Sequence, residues 1–148
     1  MPFGTISWLE PQGWNSETPD GLSYGYRNLA SQCLQAAKRL ESPHDFNVPE
    51  YILLFHSIEL GLKGFLVKSG VTPTALRKRP YGHNLVNLYR GAIKRGMIIN
   101  CDAADAASML SLMNNWQVEI RYNFFATCDL PKHAQLIYLA DAILAASR

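Results

Sequence analysis

Cysteine is scarce in this chain and odd in number: Cys33, Cys101 and Cys128. Three thiols cannot close a paired disulfide framework, and their separations match no structural zinc pattern. They read as reduced thiols of a cytoplasmic protein. Long apolar runs are missing as well. The best one, over 48–67, is interrupted by Lys63, Gly61 and Gly64, which excludes a bilayer-spanning helix and any membrane partner. The start, Met-Pro-Phe-Gly-Thr-Ile-Ser-Trp, has neither a basic beginning nor an apolar centre, so no signal peptide is expected. A glycine-rich phosphate loop is absent, as is any alternating Val/Ile/Thr-rich segment that would argue for a sheet. No histidine pair has metal spacing together with a third ligand, and no cofactor is implied.

Acid is absent from one long stretch. Between Leu60 and Cys101 there is no Asp or Glu, yet eight of the fourteen basic residues lie there. They are Lys63, Lys68, Arg77, Lys78, Arg79, Arg90, Lys94 and Arg95. Such segregation creates a positive field suited to phosphate or to an acidic partner. Arg77, Lys78, Arg79, Arg90 and Lys94 are the expected polyanion contacts. The plainer reading is a solvated surface whose countercharges, such as Asp102 and Asp105, arrive on folding.

What is present is helical. The 148 residues, 48% of them hydrophobic, suffice for one domain with a substantial core. Residues 1–18 are rich in Pro, Gly and Trp without a helical period. Trp8 and Trp14 are costly to expose, so this arm is expected to pack on the bundle or on a second subunit. A first helix is expected over 20–40, with Leu22, Tyr26, Leu29, Cys33, Ala36, Ala37 and Leu40 as its apolar stripe. A second spans 48–67, capped by Asn47 and closed by Gly70. Its stripe holds Val48, Tyr51, Ile52, Phe55, Ile58, Leu62 and Leu66. Residues 71–82 read as a basic connector. A third helix starts near His83 or Asn84, buries Leu85, Leu88, Tyr89 and Ala92, and stops at Gly96. A fourth begins near Asp102 and presents Met109, Leu112, Met113, Trp116 and Ile120, with a possible extension through 125. Asp129 is expected to cap the fifth, whose stripe is Leu130, Ile137, Ala140 and Leu144. The fold class is therefore all-α: an antiparallel four- to five-helix up-and-down bundle over 19–148, with an irregular N-terminal arm over 1–18.

Glu59 stands out because it falls between Ile52 and Leu66 on the apolar face of the second helix. A carboxylate there must be paired or carry a raised pKa. Lys63, one turn on, is a favourable partner. Leu53, Ser57, Leu60, Gly64 and Val67 form a second, back face of the same helix, with Gly61 beside them. Two faces need two neighbours, one of which could be a dimer mate.

The run His56-Ser-Ile-Glu-Leu-Gly-Leu-Lys-Gly-Phe-Leu66, followed by Gly82-His-Asn-Leu-Val-Asn-Leu88, resembles the HEPN superfamily of all-helical bundles. Glu59, Lys63, His83, Asn84, Leu85 and Leu88 carry the likeness, and Arg121-Tyr122 looks like the family's Arg-Tyr. The resemblance implies a homodimeric bundle that associates with nucleic acid or nucleotide, with Glu59, Lys63, His83, Arg121 and Tyr122 as ligand-binding candidates. It also implies a setting of toxin–antitoxin or phage-defence type. Ribonucleases of the family carry Arg, four to six residues, then His. Here eleven residues separate Arg121 from His133. That departure points to a non-catalytic interaction module, with no catalytic residue. Two alternatives stand beside it: a metal-independent endoribonuclease using Arg121 and His133, and a nucleotide-binding partner of a separate nucleotidyltransferase.

Overall fold

The computed structural model describes residues 17–40, 46–122 and 129–148. Within them the chain is all helical: α1 Pro19–Leu40, α2 Val48–Lys68, α3 Pro73–Leu76, α4 Leu85–Lys94, α5 Ala103–Tyr122 and α6 His133–Ala146. The all-α bundle expected from the helical periods is present. The expected arm, with Trp8 and Trp14, lies outside the described residues apart from 17 and 18, as does the proposed extension of α5 beyond Tyr122.

Local chemistry sets most helix ends. The Asn47 side chain accepts from the Glu50 amide, and Pro49 occupies the first turn of α2. Gly70 follows the helix at φ 97°, a left-handed position that suits glycine. Asp102 Oδ1 accepts from the amides of Ala104 and Asp105, which starts α5. The basic connector contains a single turn of helix, α3, missed in the sequence, capped by Thr72 on the Ala75 amide.

α2 is the central element and packs against α1, α4 and α6. Ser23 Oγ donates to the Gly64 carbonyl and Ser57 Oγ to the Ala30 carbonyl, both at 2.8 Å. Paired positions that rise on one helix and fall on the other make α1 and α2 antiparallel. α6 runs in the same direction as α2: Tyr51 Oη donates to the Pro131 carbonyl near the start of both, and Gly61 lies against Ile143 further along both. Leu54, Ile58, Leu62 and Leu66 of α2, Leu88 of α4, Leu110 and Met113 of α5, and Leu136 and Leu139 of α6 form one core.

Five sequence expectations need correction. Ile52 is 41% exposed rather than core. α2 is covered on three sides, so its outer strip is narrow and begins at Ile52 and His56. In α1, Leu29 and Leu40 are exposed, and the buried positions are Gly21, Ser23, Ala30, Leu34 and Ala37. The cause is close approach to α2, which selects small residues at the contact over leucines. In α6 the buried set is Leu136, Leu139, Ala140 and Ile143, one position off the expected stripe. Its N-cap is Lys132, whose amide donates to Gln135 Oε1, and not Asp129, because Pro131 precedes the helix and does not sit in its first turn. Finally, both faces of α2 are covered by helices of the same chain, so the second face does not call for a dimer mate.

Candidate functional site

Ile52, His56, Glu59 and Lys63 recur at steps of four, three and four, and so share one strip of α2. At Ile52 and His56 the strip is open. At Glu59 it is closed by the segment that leads into α4. Glu59 is 3% exposed and Lys63 is also buried. Lys63 Nζ donates to Glu59 Oε1 at 2.5 Å, and His83 Nδ1 stands 2.9 Å from the same oxygen. His56 Nδ1 is 3.9 Å from the other oxygen, Oε2, which is buried and accepts no hydrogen bond among the described residues. The expected buried, paired Glu59 is therefore found, with Lys63 and His83 both on it. An uncompensated carboxylate at this depth would cost several kcal/mol, and the lysine one turn away supplies the opposite charge that offsets part of it.

The segment carrying His83 is held by an amide network. Asn84 caps α4: its Oδ1 accepts from the Asn87 amide and from Asn114 Nδ2 of α5. Asn114 Oδ1 accepts from the Leu85 amide at 2.8 Å. Two of the free amides at the start of α4 are thus satisfied, one by its own cap and one from the facing helix. Asn87 Nδ2 donates to the Pro80 carbonyl, which pins the connector to α4. Tyr81 lies over Gly91, where a Cβ would come within 2.8 Å of the ring.

Between the connector and α5 these groups enclose a cleft of about 900 Å³. Arg79, Tyr81 and His83 line one wall, Asn84 and Asn87 the α4 end, and Asn114, Asn115, Gln117 and Val118 the other wall. The α5 amides were not anticipated from the sequence. The signal was there: an Asn-Asn pair directly before Trp116, in a helix where such residues compete with the backbone and need a reason. The cleft offers amide donors and acceptors, a histidine anchored from behind, and one guanidinium. It suits a ligand that combines negative charge with hydrogen-bonding edges.

The five expected polyanion residues are all exposed, Arg77, Lys78 and Arg79 on the connector and Arg90 and Lys94 on α4. Among the described residues none of them forms an ion pair. Asp102 and Asp105 lie at the start of α5, where Asp102 caps the helix. Arg79 and Asn87 both border the cleft, and Arg90 and Lys94 continue the Asn87 face of α4 at helical spacing.

The remaining candidates lie elsewhere. The side chains of Arg121 and Tyr122 lie outside the described residues. His133 stands at the start of α6 with Nδ1 3.4 Å from Oε1 of Glu50, which is completely buried. Next to this pair, burial pushes the Tyr51 phenol up, and the Glu50 charge adds to the effect. A second cavity of about 920 Å³ lies between α5 and α6, lined in part by Cys101, Asp102, Asp105 and Tyr138. Among the described residues that line it, none is basic. Burial raises the Cys101 thiol, and the charges of Asp105 and Asp102 raise it further, so it is no activated nucleophile. Among the described residues no group of three His, Cys, Asp or Glu side chains is arranged to hold a metal ion. Comparison with protein-family models, curated proteins and solved structures gave no match.

Proposed function

We infer that this protein is a non-catalytic binding module for nucleic acid or nucleotide, seated in the cleft between the basic connector and α5. The observation that carries this reading is the continuity of unpaired charge with hydrogen-bonding edges. Arg77, Lys78 and Arg79 lead into a cleft lined by His83, Asn84, Asn87, Asn114, Asn115 and Gln117. Cations without protein partners bind phosphate with release of counterions, and amides match the mixed donor and acceptor edges of bases. The HEPN resemblance at Glu59, Lys63, His83 and Asn84 falls on this same corner and supports the reading, with a defence or toxin–antitoxin setting as its context.

Titration of a labelled single-stranded RNA at two ionic strengths tests it. Binding is expected at low salt, with log K falling by about 0.7 per phosphate contact for each tenfold rise in salt. Reversing Arg77, Lys78 and Arg79 to Glu together is expected to abolish binding while leaving the fold intact. Absence of binding at low salt, or binding indifferent to salt, refutes the reading in favour of an acidic protein partner. A fluorogenic RNA incubated with the protein in EDTA is expected to stay intact; cleavage would move the assignment to the endoribonuclease alternative.

A further inference from the structure

His83 is where the buried carboxylate of α2 meets the cleft. Its Nδ1 is 2.9 Å from Glu59 Oε1, an oxygen that also receives Lys63 Nζ. Lys63 already balances the carboxylate charge, so the imidazole needs to bring only a hydrogen bond, through Nδ1–H. A neutral ring in that tautomer carries its lone pair on Nε2. The two ring nitrogens diverge across the imidazole. With Nδ1 turned inward onto α2, Nε2 turns outward, on a side chain that is 63% exposed and lines the cleft. Arg79 can only donate, and the amide NH2 groups suit acceptors such as phosphate or ring nitrogens. Nε2 asks for the opposite kind of group.

We propose that Glu59 is a positioning residue that fixes His83 as a hydrogen-bond acceptor, and that His83 Nε2 selects a ligand group bearing an O–H or N–H donor, a sugar hydroxyl or exocyclic amine, over a phosphate oxygen. The proposal rests on the nucleotide-binding reading above and goes beyond it in naming which atom discriminates. It carries a sign. A bare Nε2 attracts a donor hydrogen and repels a phosphate oxygen. Among the described residues, the titratable groups around the ring are Glu59, Lys63 and His56 on α2 and Arg79 and Tyr81 on the connector. α5 faces the cleft with Asn114, Asn115, Gln117 and Val118, none of which titrates. His56→Gln is therefore the control for the second histidine.

The tautomer is read first, in the ligand-free full chain, from the ring-nitrogen shifts of 15N-histidine-labelled protein at about pH 8, above the free histidine range. His83 is expected with Nδ1 protonated and Nε2 bare; the reverse tautomer overturns the proposal. Short oligonucleotides of equal charge then compete for the cleft: ribose, 2′-deoxy and 2′-O-methyl sugars in one arm, bases with and without the exocyclic amine in the other. Removing the selected donor is expected to weaken wild-type binding about 3–10-fold, the worth of one net hydrogen bond. The same removal is expected to leave His83→Phe unaffected. The arm that responds identifies the source of the donor. Glu59→Gln is expected to mix the tautomers and lose the discrimination; should it fail to fold, the exposed His83→Phe change carries the test. Binding without any His83-dependent discrimination overturns this proposal alone. Absence of binding to every oligonucleotide overturns it together with the binding reading.

Discussion

Glu59 is buried for a reason its helical position does not supply. Its strip of α2 is open at Ile52 and His56 and closes only where His83 crosses. Glu59→Ala leaves Lys63 buried without its partner and opens a void, and is expected to cost about 2–4 kcal/mol in urea unfolding. His83→Ala is expected to cost less than about 1 kcal/mol, because the ring is largely exposed. Tyr51 and Tyr89 make a second residue-scale prediction. Burial raises both phenols, with the Glu50 charge assisting at Tyr51 and Cys101 and Asp102 at Tyr89. A folded pKa above the unfolded value of 10.0 gives stability that is complete below that value and lost as pH rises through the folded pKa. Cys33, raised by burial from 9.0, adds the same sign one unit lower. Unfolding free energy is therefore expected to fall steadily above about pH 9, and Tyr51→Phe to flatten part of that fall at the cost of the hydrogen bond to Pro131.

At the scale of the element, glycines separate helix propensity from packing. Gly25 sits in α1 with no described residue within 4 Å of an added Cβ. Gly25→Ala is expected to stabilise by about 0.5–1 kcal/mol, since alanine holds a helix better. Gly64 also lies mid-helix, but its Cβ would meet Arg27 Cγ at 3.0 Å and the Ser23 carbonyl at 3.3 Å. That carbonyl is backbone and cannot swing away, so α1 must shift and strain the Ser23 and Ser57 bonds across the hairpin. Gly64→Ala is expected to destabilise by about 1–2 kcal/mol despite its better propensity. Denaturation midpoints of the two variants should move in opposite directions. Gly91 supports the cleft in the same way: Gly91→Ala pushes Tyr81 off α4 and is expected to weaken ligand binding with little loss of stability.

At the scale of the whole molecule, exposed charge and the remaining apolar surface are what a partner would meet. Ile98 is 86% exposed, and Val118 and Phe46 are more than half exposed. The covering of both α2 faces within one chain removes one ground for a homodimer and leaves the aromatic arm as the other. On that ground light scattering at tens of micromolar is expected to give a dimer mass, and a chain lacking residues 1–18 a monomer. A monomer in both cases, with equal stability, would end the dimer expectation and the role given to the arm.

The five longer helices and part of their caps were legible in the sequence because they depend on neighbours along the chain, whereas the single turn α3 and the Lys132 cap of α6 were not. Asn47 and Asp102 bond amides two or three residues on, Gly70 and Gly96 end helices by their own backbone freedom, and the α4 stripe of Leu85, Leu88, Tyr89 and Ala92 follows from period alone. Glu59 with Lys63 was legible for the same reason, being one turn apart. The stripes of α1 and α6 and the place of Ile52 were not, because which side of a helix is inside depends on how closely its neighbours approach. Small residues at the α1–α2 contact moved the buried line away from Leu29 and Leu40. The amide wall of the cleft needed Asn114 to meet Asn84 across 30 positions, and Glu50 needed His133 across 83. A sequence fixes what each helix can offer; only the packed bundle decides which offers face one another, because burial and hydrogen bonding across helices are set by distance in space.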